Sequence, residues 1–362
     1  YNKKCQVKKD NFMNLGIICE FNPFHKGHRH LIDSVKNDGD GIICCMSGNF
    51  VQRGEPAVYE KFSRAKTAVE NGADLVIELP TLCSTQSAQG FAKAGVTILE
   101  STGICDMLCF GAENADTSAL KSIAQEIKQR DCEIKEELKK GISYPAARRN
   151  VLGSHLLDSP NNILAVEYLT YATIPCRAVE RIGKGHDSDD EIFSASQIRK
   201  GLSIEEIHSL KNCEKAILYK LRSMSADDFA NIEDVSEGLE NRILRAVQTG
   251  TNTEEIYDLI KTKRYTHSRI RRIILRSFLG ITKDMPKEPK YIRVLAFNKK
   301  GQEMLAEMKK KATLPIITKY SDCGEDTKPL FETECKFTDI YNLTSVTPLP
   351  CGEEQRKKVI ML

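Results

Sequence analysis

The sequence predicts an α/β protein: a doubly wound parallel sheet over residues 14–200, a mainly helical module over 201–285, and a small C-terminal α/β segment over 290–362. Three observations carry that expectation. Short aliphatic runs at 15–19, 41–46, 75–79 and 107–110 alternate with stretches of helical periodicity at 28–35, 63–71, 88–101 and 117–129. Each run is apolar on successive residues, as in strands covered on both faces, which is the pattern of a parallel sheet. Beyond Ser196 the periodicity is helical until 281, and Pro286 and Pro289 then mark a linker.

The remaining elements follow in order. Gly72 and Gly103 stand just past helical stretches, where C-terminal caps belong. The chain reads as helix from 131 to 169, as one more strand at 176–179 after Pro175, and as a polar loop over 182–191. Strand, helix and strand signals return at 291–297, 301–311 and 314–319. In such sheets ligands bind where strands end and loops begin, so the first loop, 20–27, is a candidate site before any motif is considered.

Composition bounds the function. The 362 residues exceed the usual single-domain size of ~100 to 200, so an appended module is expected. With 41% hydrophobic and 28% charged residues the chain is an ordinary globular protein, which excludes disorder. No apolar run approaches the ~18 residues of a membrane span, and the opening stretch is polar and basic rather than a signal peptide, so a soluble, cytoplasmic protein is expected. Because the chain opens on Tyr1, Met13 reads as the natural start and the residues before it as an extension. The 13 cysteines are scattered through apolar runs such as Ile42-Ile43-Cys44-Cys45-Met46, without a Cys-x-x-Cys pair. They read as small core residues of a reducing compartment, and no metal site is expected. A net charge of +3 leaves any nucleic-acid affinity to a local patch.

The segment Phe21-Asn22-Pro23-Phe24-His25-Lys26-Gly27-His28 follows the first strand and opens a helix. Amides at a helix start attract anions, and Gly27 lets the chain approach a triphosphate closely. His25 and His28, three residues apart, are the candidate catalytic residues, since both can face departing phosphates and offset the charge that develops during attack at an α-phosphorus. His30 reads as an ordinary helix residue. A second element, Phe193-Ser194-Ala195-Ser196-Gln197-Ile198-Arg199, sets hydroxyls before a helix and an arginine one turn in. Ser194 and Ser196 can bind phosphate oxygens there, and Arg199 supplies a charge-assisted partner. Arg53, in the polar loop after the second strand, can steer a small anion or a phosphate.

Together, a His-x-Gly-His turn after the first strand and a Ser-x-Ser-x-Ile-Arg helix start after the last resemble the paired signatures of the nucleotidylyltransferase superfamily. That superfamily shares its Rossmann-like fold with class I aminoacyl-tRNA synthetases, and its common chemistry is attack on an α-phosphate with pyrophosphate leaving. The resemblance narrows further. Glu20-Phe21-Asn22-Pro23-Phe24-His25-Lys26-Gly27-His28, Met46-Ser47-Gly48-Asn49-Phe50-Val51-Gln52-Arg53-Gly54-Glu55-Pro56-Ala57, Ser159-Pro160-Asn161-Asn162-Ile163-Leu164 and Arg181-Ile182-Gly183 are similar to the bacterial tRNA(Met) cytidine acetate ligase family, over nearly the whole chain after Met13.

What the resemblance implies is an ATP-dependent ligase. It would join acetate to ATP as acetyl-adenylate, release pyrophosphate and then AMP, and acetylate the 4-amino group of the wobble cytidine of elongator tRNA(Met), forming N4-acetylcytidine. It also implies an ATP pocket formed by Ile18, Cys19, Glu20, Phe21, Asn22, Pro23, Phe24, His25, Lys26, Gly27, His28, Gly111, Asn161, Asn162, Arg181 and Ile182, which Ser194, Ser196 and Arg199 of the second element would complete. Mg2+ is expected as the counter-ion of ATP.

Between 261 and 276 lie seven basic residues and no acidic one: Lys261, Lys263, Arg264, Arg269, Arg271, Arg272 and Arg276. On a helix Arg269, Arg272 and Arg276 share a stripe, with Ile270, Ile273, Ile274 and Phe278 alongside facing a core. That stripe, with Lys261, Lys263 and Arg264, is the candidate tRNA contact, and Tyr265 and His267 are placed to stack on exposed bases of the anticodon region. Two other readings of the chain are a small-molecule adenylyltransferase and an RNA-binding protein with a regulatory nucleotide site.

Overall fold

A computed structural model describes residues 12–182, 195–236 and 238–362. In chain order the strands are β1 (Asn14–Cys19), β2 (Gly41–Ser47), β3 (Phe50–Val51), β4 (Glu55–Pro56), β5 (Leu75–Leu79), β6 (Met107–Ala112), β7 (Cys176–Glu180), β8 (Ile292–Phe297), β9 (Ile316–Ile317) and β10 (Ile360–Met361). The main sheet runs β10-β8-β5-β2-β1-β6-β7, with β9 against the start of β8, while β3 and β4 form a separate hairpin.

The five strands read from the sequence as parallel do pair that way, but β8 enters antiparallel to β5, so the sheet is mixed. The C-terminal segment is therefore not a unit apart: β8 and β10 extend the main sheet. The apolar run of β8 is buried at five of six positions, and the edge of the main sheet gives it cover on both faces.

Alternation along the strands builds two cores. Ile43 and Cys45 of β2 point to one face of the sheet, and Ile42, Cys44 and Met46 to the other. Helices α1 (Lys26–Val35) and α2 (Lys61–Glu70) cover the second face. After the short α3 (Thr81–Ser84), α4 (Ala88–Ser101) and α5 (Thr117–Gln129) cover the first. Gly72 and Gly103 take left-handed backbone just past α2 and α4, as their positions predict. Then come α6 (Asp131–Leu138), α7 (Tyr144–Leu152) and α8 (Pro160–Tyr171), and, past β7, α9 (Ala195–Gly201).

The helical module comprises α10 (Glu214–Arg222), α11 (Ala226–Ala230), α12 (Leu239–Thr249), α13 (Thr253–Ile260) and α14 (His267–Leu279), around its own core of Ile217, Phe229, Ile243, Ile256 and Ile273 among others. The chain ends through α15 (Lys299–Lys311), α16 (Lys328–Tyr341) and α17 (Glu353–Arg356). A further apolar cluster that includes Phe50, Leu82, Leu275, Phe337 and Tyr341 ties the β3–β4 hairpin, α14 and α16 together. At the tip of that hairpin Gly54 has φ +80, and a Cβ there would meet the Arg272 amide nitrogen at 2.5 Å. Only glycine lets hairpin and helix touch backbone to backbone. Among the described residues no helix is long and apolar enough to cross a membrane.

Candidate active site

The site grows from the end of β1. Past Cys19 and Glu20, Phe21 is buried at φ +46, a left-handed backbone that a bulky side chain adopts only under tertiary constraint. Its ring meets those of Phe24 and His28 edge-on at 4.9 Å. A rigid aromatic floor thus lies under the His28 imidazole.

His25 caps α1: its Nδ1 accepts the Gly27 amide at 3.0 Å, and the Nδ1 of His28 accepts the His25 amide at 3.3 Å. Both neutral rings therefore carry their proton on Nε2, as hydrogen-bond donors. The rings stack with centroids 3.7 Å apart. Gly27 has a reason beyond approach to a phosphate, since a Cβ there would meet His25 Cε1 at 2.9 Å. Its amide, expected to be open to a phosphate, is taken by His25.

Burial, reinforced by Arg181 and Arg199, pushes His25 down to about 4; burial, then His25 and Arg181, holds His28 well below the usual histidine range. Because about 4 lies below the ordinary 6.5, the unfolded chain takes up this proton first as pH falls. The stability is intact above 6.5 and is lost as pH drops toward 4. His25→Gln should flatten the fall in the urea midpoint between about pH 7 and about pH 5; equal falls in both proteins would refute the shift.

Arginines bind the surrounding loops together. Arg199 Nη1 donates to the Asn22 carbonyl at 2.6 Å and Nη2 to Ser196 Oγ at 3.2 Å, so α9 meets the first turn as the two motifs predict. Ser194 lies outside the described residues. The buried Arg64, which sequence reasoning missed, donates to the carbonyls of Glu20, Ser47, Gly48 and Tyr59, joining the ends of β1 and β2. Nothing in its helical surroundings signals this. Asn22 is turned away, its Oδ1 accepting the Val58 amide at 2.8 Å. Gln52 donates its amide to Glu20 Oε1 at 2.7 Å, and burial raises the Glu20 carboxyl above the usual range.

These elements surround a cavity of about 980 Å³, whose wall includes Ile18, Cys19, Glu20, Phe21, Gly27, His28, Gly111, Asn161, Arg181 and Ile182, with Arg53. His30 lines it too, contrary to its plain reading. Asn22, Pro23, Phe24, His25, Lys26, Asn162, Ser196 and Arg199 are not on that wall. Asn162 stands behind the wall, its Oδ1 accepting the Glu113 and Asn114 amides at 2.9 and 3.1 Å and shaping the loop beyond Gly111. Asn161 beside it reaches the cavity. Sequence reasoning missed the far end, formed by Phe91, Tyr144, Leu164, Tyr168 and the buried Arg148–Glu167 ion pair at 2.5 Å. Those residues sit in ordinary amphipathic helices.

The opposite wall comes from the helical module: Asp234, Arg264, Thr266, Ser268, Arg269 and Arg272. Here the basic stripe needs correcting. Arg272 and Arg276 are buried; Arg272 pairs with Asp234 at 3.1 Å, and Arg276 donates to the Thr85 carbonyl at 3.4 Å. The face of α14 opposite its apolar side is covered by the catalytic domain rather than by water. Tyr265 is buried as well, with Arg269 over its ring at 5.1 Å, so it offers no open face to a base, whereas His267 is exposed. Lys261 is half-buried and Lys263 exposed. Among the described residues no group of three His, Cys, Asp or Glu is placed to hold a metal ion.

The comparisons with known proteins agree with this fold. The family model described as HIGH Nucleotidyl Transferase matches residues 13–356. A tRNA(Met) cytidine acetate ligase of Acetivibrio thermocellus is 37% identical, over 96% of this chain and 99% of that protein. One from a Thermoanaerobacter species is 40% identical, over 91% and 94%. The crystal structure of Thermotoga maritima TmcAL bound with alpha-thio ATP superposes with a TM-score of 0.87 at 31% identity, covering 97% of this chain and all 100% of that one.

Proposed function

The chain belongs to the HIGH nucleotidyl transferase family and, within it, to the tRNA(Met) cytidine acetate ligases, and we propose that it acts as one. A carboxylate oxygen of acetate attacks the α-phosphorus of ATP, and the bond to pyrophosphate breaks. The 4-amino nitrogen of the wobble cytidine of elongator tRNA(Met) then attacks the acetyl carbon; the bond to AMP breaks with its electron pair, and the amine gives up a proton. The reaction belongs in the cytoplasm, where ATP and tRNA meet.

One observation carries this reading: a single cavity has Gly27 and His28 of the first turn on one side and an arginine-bearing helical module on the other, room for a nucleotide and a second large substrate together. The Nε2–H of His28, on the wall, donates to the phosphates beside Arg181, and His25, stacked behind it, and Arg199 add a further donor and positive charge once the nucleotide draws the turn in. Arg53 draws in acetate. Mg2+ would ride on the phosphates and water, neutralising charge there. Lys261, Lys263, Arg264 and Arg269 meet the tRNA backbone, while Arg272 shapes the wall. Lys263→Ala should reduce the salt slope of tRNA binding by about one; an unchanged slope would remove this contact.

The test is to incubate the protein with ATP, labelled acetate and total bacterial tRNA, leaving out each in turn. Label in tRNA that depends on ATP supports the ligase. AMP moved to a small molecule would support an adenylyltransferase instead, and neither product would leave a binding protein.

A further inference from the structure

The module's wall of the cavity carries one residue in an unusual backbone conformation. Asp234, between α11 and α12, has φ +67, and among the described non-glycine residues only Phe21 shares a positive value. Two arginines of α14 brace it. Arg269 Nε donates to its carbonyl at 3.0 Å, and Arg272 Nη2 to its Oδ2 at 3.1 Å. Arg269 is backed in turn by the Tyr265 ring, and Arg272 by the close approach of Gly54. Asp234 lines the cavity, and its other carboxylate oxygen has no hydrogen-bond partner among the described residues. Glu20, Glu167 and Asp131 also have one oxygen bonded, to the Gln52 amide, Arg148 and Lys135, but they stand on the other walls, and Asp234 is the one carboxylate among the described residues of the module's wall. Glu180 stands on the nucleotide side, next to Arg181. A strained residue held by its surroundings, with an acceptor left open toward the site, is a position from which a substrate can be read.

We propose that Asp234 recognises the acceptor base, its free oxygen accepting an N–H of the exocyclic 4-amino group of cytosine. The inference rests on the ligase reading and deepens it. Cytosine and uracil differ at this edge, an amino donor against a carbonyl acceptor, so a fixed carboxylate welcomes the first and repels the second. The Arg272 pair holds the group in one orientation, which a mobile surface carboxylate would lack.

The test uses the full chain with ATP and two anticodon stem-loops of tRNA(Met), one with cytidine and one with uridine at the wobble position, competing in filter binding. The intact protein should prefer cytidine by about tenfold or more, and Asp234→Asn should bring the ratio to within about twofold of one. Acetate-dependent ATP–pyrophosphate exchange, which needs no tRNA, should be unchanged. Asp234→Gly is the second variant, because glycine adopts this φ without strain and any loss of preference then belongs to the carboxylate. A preserved cytidine preference in both variants overturns the proposal. So does a wild-type protein that exchanges pyrophosphate yet binds both stem-loops equally. Absence of exchange in the wild type would instead overturn the ligase reading on which the proposal rests.

Discussion

His28→Ala is expected to lower acetate-dependent ATP–pyrophosphate exchange by about 10²- to 10³-fold while tRNA affinity, measured by filter binding, stays within a few-fold of wild type. The magnitude follows from what the ring does. Its Nδ1 is occupied by the His25 amide, so the neutral imidazole presents a fixed Nε2–H toward the cavity. The Phe21 ring below and the His25 ring above prevent it from turning away. A donor held in this way needs no reorganisation when charge builds on the leaving pyrophosphate, the condition under which a single hydrogen bond counts most. His25→Ala is the less clean experiment, because it also uncaps the Gly27 amide. A large loss of tRNA affinity in His28→Ala would show that the ring serves the fold or the RNA rather than the phosphates.

Glu354→Gln is expected to destabilise the protein by about 3–5 kcal/mol, read as a lower urea midpoint at unchanged slope. Lys61 Nζ lies 2.7 Å from both Glu78 and Glu354, and Arg293 Nε lies 3.2 Å from Glu354, with all four side chains at most 4% exposed. Burial alone would lower Lys61, but Glu354 and Glu78 outweigh it and raise it, so the ammonium stays charged. Glu78 is raised as well: burial raises it, and Lys61, shared with Glu354, only partly compensates. Two buried cations are thus matched by two carboxylates, and neutralising Glu354 leaves one positive charge unpaired away from water. This network clamps α17 and β8 onto α2 and β5, which makes the C-terminal segment integral to the catalytic sheet. A double variant, Lys61→Met with Glu354→Gln, should cost less than the sum of its parts. A single-variant change below about 1 kcal/mol would mean that the pair is not desolvated as drawn.

What was legible in the sequence is what neighbours within a few residues decide. Apolar runs declared strands covered on both faces, Gly72 and Gly103 marked helix ends, and the Glu20 to His28 turn showed two histidines three residues apart with a glycine between them at a helix start, while the fold alone revealed that His25 caps the helix and that a Cβ at Gly27 would strike it. The pairing of that turn with Arg199 was visible as two motifs, and the fold supplied the bond to the Asn22 carbonyl.

Tertiary structure alone decided which side of an amphipathic surface water reaches. The periodicity of α14 assigns Arg272 and Arg276 to a polar face, but a polar face has no label saying whether solvent or another domain lies against it, and here the catalytic domain does. The same holds for β8, whose apolar run demanded cover without naming the strand that would give it, and for Asn162, whose amide chemistry suits a ligand and a loop equally well. Local residue type sets what a group can bond to; only the packing of segments far apart in the chain sets what stands within 3 Å of it.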